Sequence, residues 1–237
     1  MNRIMFFICS ICMASLCSAR DFEETFLQAN RYYQNKEYQK ALDLYDSIDR
    51  KGVATWHNMG NCAFKLNRHL DALTCWKRAR KTATAKEQQE LDRNIETAYE
   101  VLGKEVDNIS FWLFFRRLLD RCSLFFLQLL FLSFWFILFG VLWFFKRYKR
   151  VFLATLIPIN ILCGLTLIAK YRLQKYPVAL VKKTSASLFA GPDQNYHVIS
   201  KVKLADEFSI TERCGSWCKV RGSSLSGWIL ADTLVEI

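Results

Sequence analysis

The chain has 237 residues, a net charge of +11, 52% hydrophobic side chains and 19 phenylalanines. So much apolar material is heavy for a soluble globule and points to membrane segments. The charge does not describe a nucleic-acid groove: residues 20–110 hold 15 basic and 15 acidic side chains and residues 177–237 hold 7 and 6, whereas residues 111–176 hold 10 and 1. Basic residues beside apolar runs suit lipid headgroups, and nucleic acid is excluded as a partner.

Residues 1–19 read as a signal peptide. Arg3 is followed by an apolar run to Leu16, and Ser18 and Ala19 precede Arg20 and Asp21. An uncleaved anchor is the alternative, but the run is short for a span of about 20 residues. A lipoprotein fits less well, because Leu16 stands before Cys17 where a small side chain is needed.

Residues 20–104 repeat. Ala29, Ala41, Tyr45 and Ile48 recur as Gly60, Ala72, Trp76 and Ala79, each pair 31 residues apart. Small residues at fixed spacing let two helices touch closely while aromatics fill the space beside the contact, which predicts stacked helical hairpins. Leu91, Ile95, Ala98, Tyr99 and Leu102 fall on one face of residues 86–104, a helix expected to cap the stack. The pattern resembles the tetratricopeptide repeat, with a shortened link at "DRKGVA" and no closing proline. That resemblance implies a concave surface lined by Phe26, Asn30, Tyr33, His57, Asn61, Phe64 and Arg93. Asn30 and Asn61, at equivalent positions, are suited to holding an extended peptide backbone; the other reading is a merely solvated groove.

Residues 105–121 mix aromatics with Arg116, Arg117, Asp120 and Arg121, as in a helix lying in the headgroup layer or simple padding before a span. Residues 122–145 and 151–169 are uncharged and long enough to cross a bilayer, so they predict transmembrane helices joined by the basic turn 146–150. The positive-inside rule puts that turn in the cytoplasm and both flanking domains outside. Arg116, Arg117, Arg121, Lys170, Arg172 and Lys175 pull the other way, but they are spread out. The signal peptide also sets the side of the first domain.

Residues 170–237 change to short alternating runs with Gly, Pro and Asp turns, which predicts a small all-β barrel after a linker. "LFAGPD", "VISKV", "SWCKVR" and "GWIL" resemble in order the bacterial SH3-like domain, although Asp206 stands where that family prefers Gly. Trp217 and Trp228 are either core or binding surface. Cys214 and Cys218 are a candidate disulfide outside the membrane. A three-residue loop would set them across from one another; a two-residue loop at Gly215 and Ser216 would pair Cys214 with Trp217 instead.

His57, His69 and His197 sit in no recognisable nucleophile or metal pattern, and no phosphate loop is present, so no catalytic, cofactor or metal residues are expected. The order of segments resembles the BatE family of the Bacteroides aerotolerance (Bat) set. That resemblance implies a non-enzymatic protein of the bacterial inner membrane, with both soluble domains periplasmic. Its implied partners are Bat proteins bearing von Willebrand factor A domains and a MoxR-type AAA+ ATPase, in tolerance of oxygen or envelope stress. The expected function is therefore a membrane-anchored scaffold binding protein partners through the repeat groove and the barrel. The alternative is an envelope sensor that binds cell-wall peptide or glycan through the barrel.

Overall fold

The computed structural model describes residues 22–104, 122–144, 149–222 and 225–237. The signal segment 1–19, the juxtamembrane segment 105–121 and residues 146–148 of the basic turn lie outside the described residues. The fold mixes helix and sheet, and the chain divides into two compact units. Among the described residues, one holds five helices and most of a sheet, and the other holds two apolar helices and Ser209–Thr211.

Helices α1 (22–34), α2 (Tyr38–Asp46), α3 (Val53–Lys65), α4 (His69–Thr82) and α5 (Ala85–Val101) follow one another through short turns. Every repeated position is buried: Ala29, Ala41, Tyr45 and Ile48 in the first hairpin, Gly60, Ala72, Trp76 and Ala79 in the second. The turns repeat as well. Lys36 (φ 65°) and Asn67 (φ 59°) are 31 residues apart and both adopt the left-handed conformation. In each turn two amide N–H groups return to the last carbonyls of the helix, Lys36 to Tyr33 and Glu37 to Tyr32, then Asn67 to Phe64 and Arg68 to Ala63. Gly103 (φ 66°) ends α5 in the same way. Such an ending satisfies carbonyls that the helix itself leaves open. At the other end of α5, Glu87 accepts the Thr84 N–H at 2.8 Å, a capping box at the helix start.

Seven antiparallel strands, β1 (Val178–Val181), β2 (Ser185–Phe189), β3 (Val198–Lys203), β4 (Glu207–Cys214), β5 (Trp217–Arg221), β6 (Ser226–Leu230) and β7 (Leu234–Glu236), form one open sheet. Their order is β3-β2-β6-β5-β4-β1-β7. Val181, Leu188, Val202, Phe208, Val220 and Ile229 are its buried apolar residues.

The sheet docks on the helical stack, a packing that neither segment announces in sequence. Leu180 and Ala205 are buried in the same apolar cluster as Leu73, Trp76, Leu91 and Ile95, with Val235 and Ile237 at its margin. Around that cluster, Lys77 of α4 and Tyr99 of α5 converge on Oε1 of Glu207, the tyrosine hydroxyl donating at 2.5 Å. Lys104 pairs with Asp206, Arg78 donates to the Glu236 carbonyl at 2.7 Å, and Lys81 donates to the Ile237 carbonyl. Asp206 has a local reason for its place in this turn. Asp206 accepts the Lys203 N–H at 2.6 Å, closing the turn at Ala205, and holds Lys104 of the helical stack.

The second unit contains α6 (Leu124–Phe144) and α7 (Lys149–Lys175). Each includes a 20-residue stretch, Leu124–Trp143 and Leu153–Arg172, long and apolar enough to cross a membrane, since 20 residues of helix rise about 30 Å. The second helix runs past the apolar stretch 151–169 expected from sequence, on through Lys170 and Arg172. A Cβ at Gly164 would stand 3.5 Å from Phe131 of α6, an ordinary van der Waals contact. Pro158 interrupts the hydrogen-bond ladder within α7, and two residues on, Asn160 is buried with no protein partner for its amide among the described residues.

Candidate partner-binding surface

The seven residues expected to line a groove fall on α1, α3 and α5, and packing has already engaged most of them. Phe26 is half-buried, its ring 6.0 Å from Phe22 and 5.6 Å from Tyr45. Phe64 lies 5.0 Å from His69 and 5.6 Å from Trp76, at the edge of the core. Tyr33 is half-buried edge-on to Tyr38 at 5.3 Å, and burial raises its hydroxyl pKa above the ordinary value.

The two asparagines do the same thing 31 residues apart. Oδ1 of Asn30 accepts the Tyr45 hydroxyl at 2.5 Å, and Oδ1 of Asn61 accepts the Trp76 indole N–H at 3.2 Å. Each carbonyl therefore ties a first helix to the aromatic of the second helix in its own hairpin. Neither amide NH2 group has a partner among the described residues, so donation is what remains for a ligand. Asn58 joins the first network, donating to both Asn30 Oδ1 and the Tyr45 hydroxyl at 3.2 Å.

Asn94 of α5 donates to Nε2 of His57 at 3.1 Å, and Glu90 lies 3.9 Å from the same nitrogen. The structure thus brings His57, Asn61, Glu90 and Asn94 to one side of α3 and α5. Arg93 follows Asp92 and precedes Asn94 on α5 and is exposed. Asn58, Glu90 and Asn94 are the residues that sequence reasoning missed. Their helical spacing was visible, but which stripe of α5 faces α3 depends on how the helices pack.

On the sheet, Trp217 pairs with Leu230, Lys219 with Trp228, and Trp228 with Phe189. Opposed residues share a face, so these lie opposite the face of Val220 and Ile229. The Phe189 and Trp217 rings meet edge-on at 5.3 Å, and Lys219 Nζ stands 5.6 Å above the Trp228 ring. Trp217 is 9% exposed, whereas Trp228 is half-buried.

The loop before β5 has two residues, with Gly215 at φ +56°. Cys214 is exposed and Cys218 is buried, and both are free thiols in this structure. The short turn sets Trp217, not Cys218, across from Cys214.

Buried titratable groups sit in the core behind the asparagines. Burial pushes the Cys62 thiol up to about 12, Cys75 up to about 11 and the Tyr45 hydroxyl up to about 12.

 The sign follows from the unfolded values near 9 and 10: these groups stabilise the stack fully below about pH 9, and that contribution is lost as pH rises toward 12. Far-UV circular dichroism should therefore show the helices melting more easily between pH 9 and 12, and a Cys62→Ala, Cys75→Ala chain should show a smaller loss over the same window. An unchanged alkaline profile in that double variant would remove the thiols from the explanation.

The chain matches no protein-family model and no curated protein.

Proposed function

We propose that the chain is a two-pass, membrane-anchored, non-enzymatic scaffold whose helical stack takes an extended segment of a partner protein. The observation that carries this reading is where the sheet docks. Its contacts use Lys77, Arg78, Lys81, Tyr99 and Lys104, while Tyr33, His57 and Asn61 stay half-buried and Arg93 exposed on the first-helix side. Two unused amide donors at a 31-residue interval suit the carbonyls of an extended chain.

The tetratricopeptide reading of the stack is supported by the buried repeat positions and by the matched turns at Lys36 and Asn67. The SH3-like reading of the sheet is supported by its short antiparallel strands and the aromatic pair Phe189 and Trp217. On this proposal the order of segments makes the chain BatE-like. It stands in the bacterial inner membrane with both soluble parts on the periplasmic side. Its partners are then Bat proteins with von Willebrand factor A domains and a MoxR-type AAA+ ATPase system.

The test must spare the core. Phe64 and Asn61 both support Trp76, so replacing them would confuse binding with packing. Arg93→Glu combined with Asn94→Ala in the full chain should reduce crosslinked partner recovery from membranes about tenfold or more, in line with loss of central interface contacts. Its melting temperature should change little. Full recovery of partners with that variant would sink the groove.

The Trp228 face supports a second reading, a sensor of cell-wall peptide or glycan, because a half-buried indole under a lysine offers both stacking and charge. Co-sedimentation of the full chain with peptidoglycan, lost on Trp228→Ala, would favour it over the scaffold.

A further inference from the structure

The outer face of α1 carries a pattern that the partner groove does not use. Glu23, Leu27 and Arg31 follow one another at four-residue intervals, so they form one ridge along the helix. All three are exposed, Leu27 by 49%, and Phe22 beside them by 42%. Glu23, Glu24 and Arg31 make no ion pair among the described residues. The acidic residues complement the positive end of the helix by themselves, but that leaves the exposed leucine and phenylalanine unexplained.

We propose that this ridge is a self-association surface, and that its occupant is α1 of a second copy of the chain, packed antiparallel across a two-fold axis at Leu27. The arithmetic of the ridge selects this partner. Glu23 and Arg31 are equidistant from Leu27, each about 6 Å along the axis at 1.5 Å per residue. An antiparallel copy centred on Leu27 therefore sets Glu23 against Arg31 of the second copy, and Arg31 against its Glu23. The two leucines meet between the pairs. A two-fold interface has to be self-complementary in this way, with one patch serving both sides. A parallel copy would instead oppose like charges.

One helix pair is a small contact, at the low end of specific interfaces and weak for a free molecule. Confinement of both copies to one membrane raises their effective concentration, which such a contact requires.

The experiment uses the full chain in lipid nanodiscs and vesicles over a series of protein-to-lipid ratios, with association read by energy transfer between labelled copies. Glu23→Arg alone and Arg31→Glu alone should each weaken association about tenfold or more, because each creates two like-charge oppositions. The combined Glu23→Arg, Arg31→Glu chain should recover to within about twofold of the parent, since the pairs re-form with exchanged signs. Leu27→Cys in a Cys214→Ser background should give a disulfide-linked dimer on mild oxidation. Circular dichroism should show every variant folded like the parent, as all these side chains are exposed. A chain that stays monomeric at every ratio, association indifferent to the single reversals, or a combined variant no better than either single one would each overturn the proposal.

Discussion

Gly60→Val is expected to destabilise the helical stack by about 3 kcal/mol, at the upper end for an added side chain in a packed core. A Cβ at position 60 would stand 2.4 Å from Nε1 and 2.5 Å from Cδ1 of Trp76, closer than any real contact allows. The indole has nowhere to retreat. It is 3% exposed, and its N–H donates at 3.2 Å to both the His57 carbonyl and Asn61 Oδ1. Moving it forfeits both hydrogen bonds and opens the seam between α3 and α4. Urea unfolding followed at 222 nm measures the loss. In a Trp76→Leu background the same glycine change should cost much less, because the atom it strikes is gone. An equal cost in both backgrounds would show that the indole is not what position 60 accommodates.

The second large effect concerns the docking of sheet on helices. Leu180→Ala should cost about 2–5 kcal/mol, the range for truncating a buried leucine, and the loss should appear in both parts of the fold. Leu180 is fully buried, and it belongs to a cluster whose other members are mostly helical. Lys104→Glu tests the same docking from the rim, where it opposes Asp206 with a like charge. In the parent chain, helix loss at 222 nm and the assigned fluorine resonances of 5-fluorotryptophan at positions 217 and 228 should coincide on unfolding. Either variant should pull the two transitions apart. Coincident transitions in both variants, or separate ones in the parent, would show that the two parts are not energetically joined.

That docking bears on the scaffold proposed above. Two flexibly linked modules would gain from a tether only through their reach. A helical stack and a sheet that share one apolar cluster would instead present the proposed binding faces at a fixed separation. A partner would have to match that separation. The ion pairs at the rim are partly buried, the Lys77 side chain being 15% exposed, so ordinary salt screens them less than surface pairs.

The candidate site was legible in its positions more than in its roles. The 31-residue period put Asn30 and Asn61 at equivalent places in the chain, which lie on α1 and α3. It did not say that Tyr45 and Trp76, 15 residues further along in each case, would take their carbonyls. An asparagine facing a groove and one facing a neighbouring aromatic have the same spacing in the chain. The two readings of the cysteine pair likewise turned on one residue of loop length. Gly215 at positive φ resolved it, closing a two-residue turn and sending Cys218 inward.

What the sequence determined by itself was everything set by local period and local turn chemistry. The helical hairpins follow from small residues at fixed intervals, the two long apolar helices from uncharged stretches, and the strands from alternation between Gly, Pro and Asp turns. These depend on neighbours within a few residues, so they can be read without a fold. Only the tertiary structure decided that Leu180 completes a helical core, that Asp206 and Glu207 answer Lys104 and Lys77, and that the asparagine carbonyls are spent inside the stack. The ion pairs among them join residues more than 100 positions apart, and such pairings arise from the shapes of finished surfaces, which no local pattern encodes.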